Sequence, residues 1–336
     1  MTGVIRIPTP VTRLLGIDLP VIQAGMSWAS SCSALPLAVS GAGGLGVVAA
    51  GPMRLDDLAR TLDEMAAGTG RPWAVNLPLH RAGADDVIDL LLARRPPVLI
   101  ASQGGPRRYL ERFRAIGTVC LHVVAGVEHA RKAADAGVDG LVVVGAEAGG
   151  HPPPAMVTTQ VLVRAVVSAV PETPVIASGG IADGSGLAAM LALGAGAAQF
   201  GTRFLATREA TVHPDYQAAV LAAGVDGTRT VGHGLGVIRA VENEFTERMR
   251  RLEESGAELD VRREEFHAAT LRDAALYGRV REGKVEAGQS AGLIDAVFPA
   301  ATVVERIVAE YRAALTRLPM PVVPEPRSAA AEGAER

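Results

Sequence analysis

Apolar residues fall into short runs along the chain, most of them followed by a glycine or a small polar residue and then by a stretch with helical spacing. Eight runs have strand length: Val21–Ala24, Leu45–Ala49, Trp73–Leu77, Val98–Ser102, Val119–Val124, Gly140–Val144, Val175–Ser178 and Ala197–Gly201. Between them the spacing of apolar positions changes to three and four. Leu55, Leu58 and Leu62 share one face, as do Val87, Ile88, Leu91 and Leu92. Pro106 can open a helix carrying Leu110 and Phe113, residues 128–136 form another, and Thr159 can cap a helix with Leu162, Ala165 and Val166 inward. Eight strands alternating with helices predict a closed (β/α)8 TIM barrel, its main part within residues 1–223. An open doubly wound sheet is the competing architecture, but it usually has fewer strands.

The alternation is most regular between Pro174 and Thr202. Val175–Ala177 runs into Ser178, Gly179 and Gly180. A helix then opens near Asp183, with Leu187, Met190 and Leu191 at i, i+3 and i+4. Ala197–Phe200 is the next strand, and Gly201–Thr202 follows it directly. Two adjacent strand ends thus present small residues with free backbone N–H groups, the makings of an anion site. The loops after the last two strands of such a barrel are its usual phosphate site. A phosphate-bearing ligand is therefore expected there, against the alternative that these glycines only make tight turns.

After Thr202 the alternation stops. Helical patterns over 210–223, 239–254 and 262–277 predict a mostly helical cap at 224–292, near the C-terminal end of the chain. Residues 293–318 then return to the barrel through a helix at 301–315, and 319–336, rich in Pro, Ala and Glu, reads as a disordered tail. Composition adds constraints. Hydrophobic residues make up 49% but aromatics only 4%, so the core must be packed with Ala, Val, Leu and Ile. A net charge of −3 speaks against a polyanion surface, and no nucleic-acid partner is expected. Cys32 and Cys120 lie far apart without metal spacing, so neither a disulfide scaffold nor a metal site is expected. No apolar run suits a signal peptide or a membrane span, and a cytoplasmic protein is expected.

Catalytic residues of a TIM barrel sit at the C-terminal ends of its strands. There the sequence places Gln23-Ala24-Gly25-Met26, then Asn76, then Ser102-Gln103-Gly104-Gly105, then GAEAGGH ending in His151, and finally the two glycine turns. This set resembles the nitronate monooxygenase family of FMN enzymes, formerly grouped as 2-nitropropane dioxygenases. FMN enoyl-thioester reductases and NAD(P)H:quinone reductases share most of it. The matching segments are PVIQAGM, SGAGGLG, AVNLPL, GAEAGGH, PVIASGGI, FGTRF and EAGQSAGLI, and the resemblance covers residues 14–294.

The resemblance implies FMN across the barrel mouth. Its phosphate would lie on Ser178, Gly179, Gly180, Gly201 and Thr202, and its ring beside Ala24, Gly25, Met26 and Asn76. Gln103 and Gly150 are further candidate contacts, and Gln23 is an alternative one. His151 is the candidate acid/base, able to take a proton from carbon or return one. Glu147 is open between catalysis and bracing the loop. The implied activity is oxidation of alkyl nitronates with O2 and release of nitrite. Two alternatives stay open: an NAD(P)H-dependent FMN reductase of an enoyl-thioester or quinone, and a non-catalytic barrel that binds a phosphorylated metabolite. The implied partners are small molecules and a second copy of the chain in a homodimer. Two departures stand out: Val144, where many relatives have Gln against the flavin, and Pro152-Pro153-Pro154 directly after His151. Among the other histidines, His122 reads as a barrel residue, His213 as loop structure, and His80 and His267 as surface. His233, in GHGLG, is a candidate to fold over the mouth.

Overall fold

Strands β1 (Val21–Gln23), β2 (Gly46–Ala49), β3 (Trp73–Pro78), β4 (Val98–Ser102), β5 (Val119–Val124), β6 (Gly140–Val144), β7 (Val175–Ser178) and β8 (Ala197–Phe200) form one parallel sheet. The computed structural model describes residues 5–319. Each strand from β2 to β7 pairs with the next in sequence, and β8 pairs with β1 through Val21–Ala198 and Gln23–Phe200. A parallel bridge between Ile22 and Leu45 closes the ring: Leu45 N–H donates to the Val21 carbonyl at 2.9 Å, and Gln23 N–H to the Leu45 carbonyl at 3.0 Å. The fold is the predicted TIM barrel, and each strand lies within a few residues of its apolar run.

Side chains alternate between two packed layers. Ile22, Leu45, Val47, Ala74, Val98, Ile100, Leu121, Val142, Ile176 and Ala197 fill the barrel interior. Helix α1 (Pro10–Leu15), absent from the sequence expectations, closes the bottom by adding Val11 and Leu15 to that interior. Thr9 caps it with a reciprocal bond to Thr12, and proline stands at its first turn. The outward strand faces, including Leu99, Ala101, Leu141 and Val143, pack under the surrounding helices. These are α2 (Ala34–Gly41), α3 (Leu55–Gly68), α4 (Ala84–Arg94), α5 (Leu110–Arg114), α6 (Val127–Asp135), α7 (Thr159–Ala169) and α8 (Gly184–Ala192).

Beyond β8 come α9 (Thr202–Leu205) and α10 (Pro214–Ala222). The region expected to be a mostly helical cap also contains an antiparallel hairpin, β9 (Thr228–Val231) and β10 (Ile238–Val241). The helix expected from Arg239 therefore starts later, as α11 (Glu244–Glu254), capped by Asn243. The helix expected over 262–277 is two, α12 (Leu259–Ala268) and α13 (Leu271–Tyr277), because Thr270 interrupts the first and caps the second. The last helix, α14 (Ala300–Arg317), returns to the barrel, where Glu310 Oε2 accepts from Gly184 N–H at 3.0 Å. The disorder expected for 319–336 falls, after 319, outside the described residues.

Candidate active site

The C-terminal ends of the strands surround a cavity of about 320 Å³, within the about 300–1,000 Å³ usual for small-molecule sites. Ala24, Gly25, Met26, Asn76, Gln103, Gly150, His151, Ser178, Gly179, Gly180, Gly201 and Thr202 all line it. The structure thus gathers every candidate contact named above except Gln23. That side chain is fully buried below the cavity, where it exchanges two bonds with the Val47 backbone, at 2.9 and 3.1 Å, and ties β1 to β2.

One end of the cavity is built from the turns after β7 and β8. The N–H groups of Gly179, Gly180 and Gly201 meet no acceptor among the described residues. Convergent unpaired amides beside a cavity suit an anion. Gln199, which the sequence reading passed over, points from β8 to the same place and donates to Ser178 Oγ at 3.1 Å. Thr202 Oγ1 is already used, accepting from Gly288 N–H at 2.9 Å.

Along the barrel side, Asn76 donates through Nδ2 to the Ile100 carbonyl at 3.1 Å. Its Oδ1 has no partner among the described residues and is free to accept. Gln103 adopts a left-handed backbone conformation, φ +55°, which costs a non-glycine residue of order 1 kcal/mol or more. Strain of this kind at the edge of a cavity fits a residue held for a ligand. Val144, at the end of β6, presents an apolar wall.

The loop after β6 brings His151 to the cavity, partly solvent-exposed and without a hydrogen-bond partner among the described residues. Dense packing around it lowers its pKa through desolvation, and the nearby His80 and Lys284 lower it further. The shift favours the neutral imidazole, the form a base needs.

Two distant segments hold the loop that carries it. Gly150 forms an antiparallel bridge with Arg239 of β10, its N–H donating at 3.1 Å and its carbonyl accepting at 2.7 Å. The buried Arg239 guanidinium donates to the Ala146 carbonyl at 3.1 and 3.3 Å and to Thr228 Oγ1 at 3.2 Å. On the other side, residues 286–288 cross the loop backbone to backbone. A Cβ at Gly149 would lie 2.5 Å from the Ala287 carbonyl carbon, so only glycine permits the crossing. The EAGGH and EAGQS segments are therefore two halves of one contact, and Gln289 N–H donates to the Glu147 carbonyl at 3.0 Å.

Glu147 resolves as a brace. Its carboxylate accepts from the N–H and the hydroxyl of Thr159, each at 2.8 Å. His122 is buried and bonded to the Tyr109 hydroxyl at 2.9 Å. His213 caps α10, and His233 is outside the cavity wall. Among the described residues no cluster of His, Cys, Asp and Glu could hold a metal ion, and no helix is long and apolar enough to cross a membrane. Sequence reasoning missed Arg239, Tyr216 and Glu286. Only Glu286 lay in a segment already singled out, EAGQSAGLI, and nothing there marked its side chain.

Comparisons with known proteins identify the family. A family model described as nitronate monooxygenase matches residues 8–310. A (3aS,4S,5R,7aS)-5-hydroxy-7a-methyl-1-oxo-octahydro-1H-indene-4-carboxyl-CoA dehydrogenase from Mycobacterium tuberculosis is 37% identical over 280 residues, covering 82% of this chain and 76% of that protein. FabK from Thermotoga maritima superposes with a TM-score of 0.86 at 38% identity, covering 92% and 98% of the two chains. A nitroalkane oxidase from Streptomyces ansochromogenes gives 0.79 at 30% identity, covering 92% and 99%. The chain belongs to the nitronate monooxygenase family of flavin-dependent oxidoreductases.

Proposed function

We propose that this protein is an FMN-dependent oxidoreductase that oxidises alkyl nitronates with O2. The observation that carries the reading is the cavity itself, which joins unpaired amides to an unpartnered imidazole whose pKa is lowered by desolvation. The residues fit FMN. Gly179, Gly180 and Gly201 would hold its phosphate, Ser178 and Thr202 would border it, and Asn76 and Gln103 would meet the polar edge of its ring beside Ala24, Gly25 and Met26. Gly150 would border the ring at the side that carries His151. Bound FMN would supply the transfer of electrons from the organic substrate.

The chain's own part is placement and proton handling. His151, free of internal bonds, takes a proton from a carbon activated by a neighbouring nitro group, or orients the anion when the substrate arrives already deprotonated. Asn76 and Gln103 fix orientation, and Val144 keeps that wall dry.

A second reading rests on a specific observation. The M. tuberculosis relative, named as a CoA-thioester dehydrogenase, is 37% identical to this chain, against 30% for the nitroalkane oxidase. A thioester acidifies the carbon beside its carbonyl as a nitro group does, so the same His151 chemistry serves an acyl or enoyl thioester, with NAD(P)H or an organic acceptor as the redox partner. Anaerobic mixing with nitronate, NADH, NADPH and an acyl-CoA, each alone, separates the two. Flavin bleaching by nitronate supports the first reading. Bleaching by NAD(P)H or an acyl-CoA, with none by nitronate, replaces it with the second.

A further inference from the structure

Glu286 is the only carboxylic acid among the described residues that line the cavity. It lies on the segment that crosses the His151 loop, and a Cβ built on Gly150 would sit 3.1 Å from its Oε2. Its backbone is fixed: the carbonyl accepts from the buried Tyr216 hydroxyl at 2.8 Å. Its carboxyl group, by contrast, has no hydrogen bond and no ion pair among the described residues. Glu147, in the same contact, has two internal bonds, both from Thr159 to its Oε2. An enclosed carboxyl left without internal partners costs free energy, and here it faces the space where a ligand sits.

We propose that Glu286 is a further catalytic residue, whose carboxylic acid donates a hydrogen bond to the substrate oxygen on which negative charge develops when His151 removes a proton from carbon. This rests on reading the cavity as the redox site. A nitro oxygen and a thioester carbonyl oxygen both become such an oxyanion, so the role holds for either substrate class. A protonated carboxyl is a strong donor toward a developing oxyanion, whereas an ionised one would repel it.

The surroundings support the protonated form. Burial pushes the Glu286 carboxyl up to about 7, and the attraction of Lys284 opposes that only in part. The other titratable or charged groups facing this corner are Tyr216 from α10, kept neutral by burial, and His151 and Arg239 from the bridged loop and β10. Lys284 is held back against the rings of Phe266, 3.5 Å from its centroid, and Phe245. His151 must be neutral and Glu286 protonated for the proposed step. Activity on a neutral nitroalkane should therefore rise through the lowered His151 pKa and fall above about 7.

The test uses the flavin-loaded enzyme, Glu286→Gln and Glu286→Ala. Infrared difference spectra of native protein against Glu286→Gln, between about pH 5 and about pH 9, should show a carboxylic C=O band that disappears with a midpoint near neutrality. With a neutral nitroalkane, Glu286→Gln keeps a donor and should lose the alkaline limb of the kcat/KM profile. Glu286→Ala should be slowed roughly 10²–10³-fold across the pH range, the usual effect of removing one oxyanion donor. A carboxyl already ionised at about pH 5, an unchanged alkaline limb in Glu286→Gln, or a fully active Glu286→Ala would each overturn the proposal. Absence of bound flavin in the native protein would count against the redox reading instead, and the infrared titration would still decide whether Glu286 holds its proton.

Discussion

At the glycine-lined end of the cavity, Gly179, Gly180 and Gly201 come from the turns of two neighbouring strands, so strand pairing sets their backbone. At the other end, His151 depends on a bridge from β10 and on a crossing by residues 286–288, roughly ninety and one hundred and forty residues away in the chain. The first end is set by strand geometry and is hard to vary without breaking the sheet. The second is assembled from the region after the barrel, so its chemistry can change while the scaffold stays. A fixed end and an adjustable end follow from the same fold.

The largest effect should come from disabling the first end without touching the second. Gly201→Asp is the cleaner probe. A Cβ there has open space, with Ala24 Cβ and Met26 Sδ nearest at 3.8 Å. Gly180, at φ +71° and with Glu147 Cβ only 2.9 Å from such a Cβ, would be strained by any side chain. The new carboxylate lies among amides suited to phosphate, so FMN affinity should fall at least roughly 10³-fold, about 4 kcal/mol of like-charge repulsion and lost contacts. The flavin-to-protein ratio after purification measures it, with circular dichroism as the check on folding. A folded Gly201→Asp protein with stoichiometric flavin would refute the assignment of that end.

His151→Ala is the converse. Flavin should stay bound, and the rate with a neutral carbon acid should drop roughly 10²–10⁴-fold. A preformed nitronate needs no proton removed, so its oxidation should suffer much less. Equal losses on both substrates would make His151 an orienting group. Full activity on both would move the site elsewhere, with Pro152–Pro154 holding the imidazole away from the flavin.

The contrast between the two ends also explains what could be read before the structure. The barrel strands were legible because apolar runs bounded by Gly and Pro are local, and so was the glycine end. Helix α1 carried a local mark, Thr9-Pro10 with Thr12, that was passed over. The hairpin was not legible. Arg239 stood at the start of a segment read as a charged helix, and its burial exists only because the Ala146 carbonyl and Thr228 receive it. Glu286 was hidden for the same reason: a carboxyl without a partner is a property of three-dimensional surroundings.

Arg239→Met tests whether the second end depends on its clamp. The substitution keeps length and removes the charge and the bonds to Ala146 and Thr228. Loss of buried charge-assisted bonds should cost about 1.5–3 kcal/mol of stability. A loosened His151 loop should slow turnover of a neutral carbon acid roughly 10–10²-fold, since small misplacements of a reacting group are costly. FMN affinity should hold within about twofold, well under the about 1.4 kcal/mol that a tenfold change would need. The loss should again shrink for a preformed nitronate, which general loosening of the protein would not produce. Equal slowing on both substrates would assign Arg239 to stability alone.

The smallest expected change sharpens the comparison at the boundary between the ends. Val144 stands at the tip of β6, one strand from Ser178 and on the cavity wall, and its apolar side chain meets no polar need of a ligand there. Val144→Gln would place an amide within reach of a flavin held by Gly179, Gly180 and Gly201. A partly buried amide bonded to the ring should tighten FMN by about 1 kcal/mol, roughly a fivefold lower Kd. Titration of the apoprotein with FMN, followed by flavin fluorescence, measures it. The His151-dependent step should be unaffected, because the amide would act on the cofactor and not on the proton. An affinity that falls or stays put would show that apolar contact with Val144 already serves the ring better than a hydrogen bond. The boundary would then belong to the adjustable end, where this chain has exchanged a cofactor contact for the shape of its substrate space.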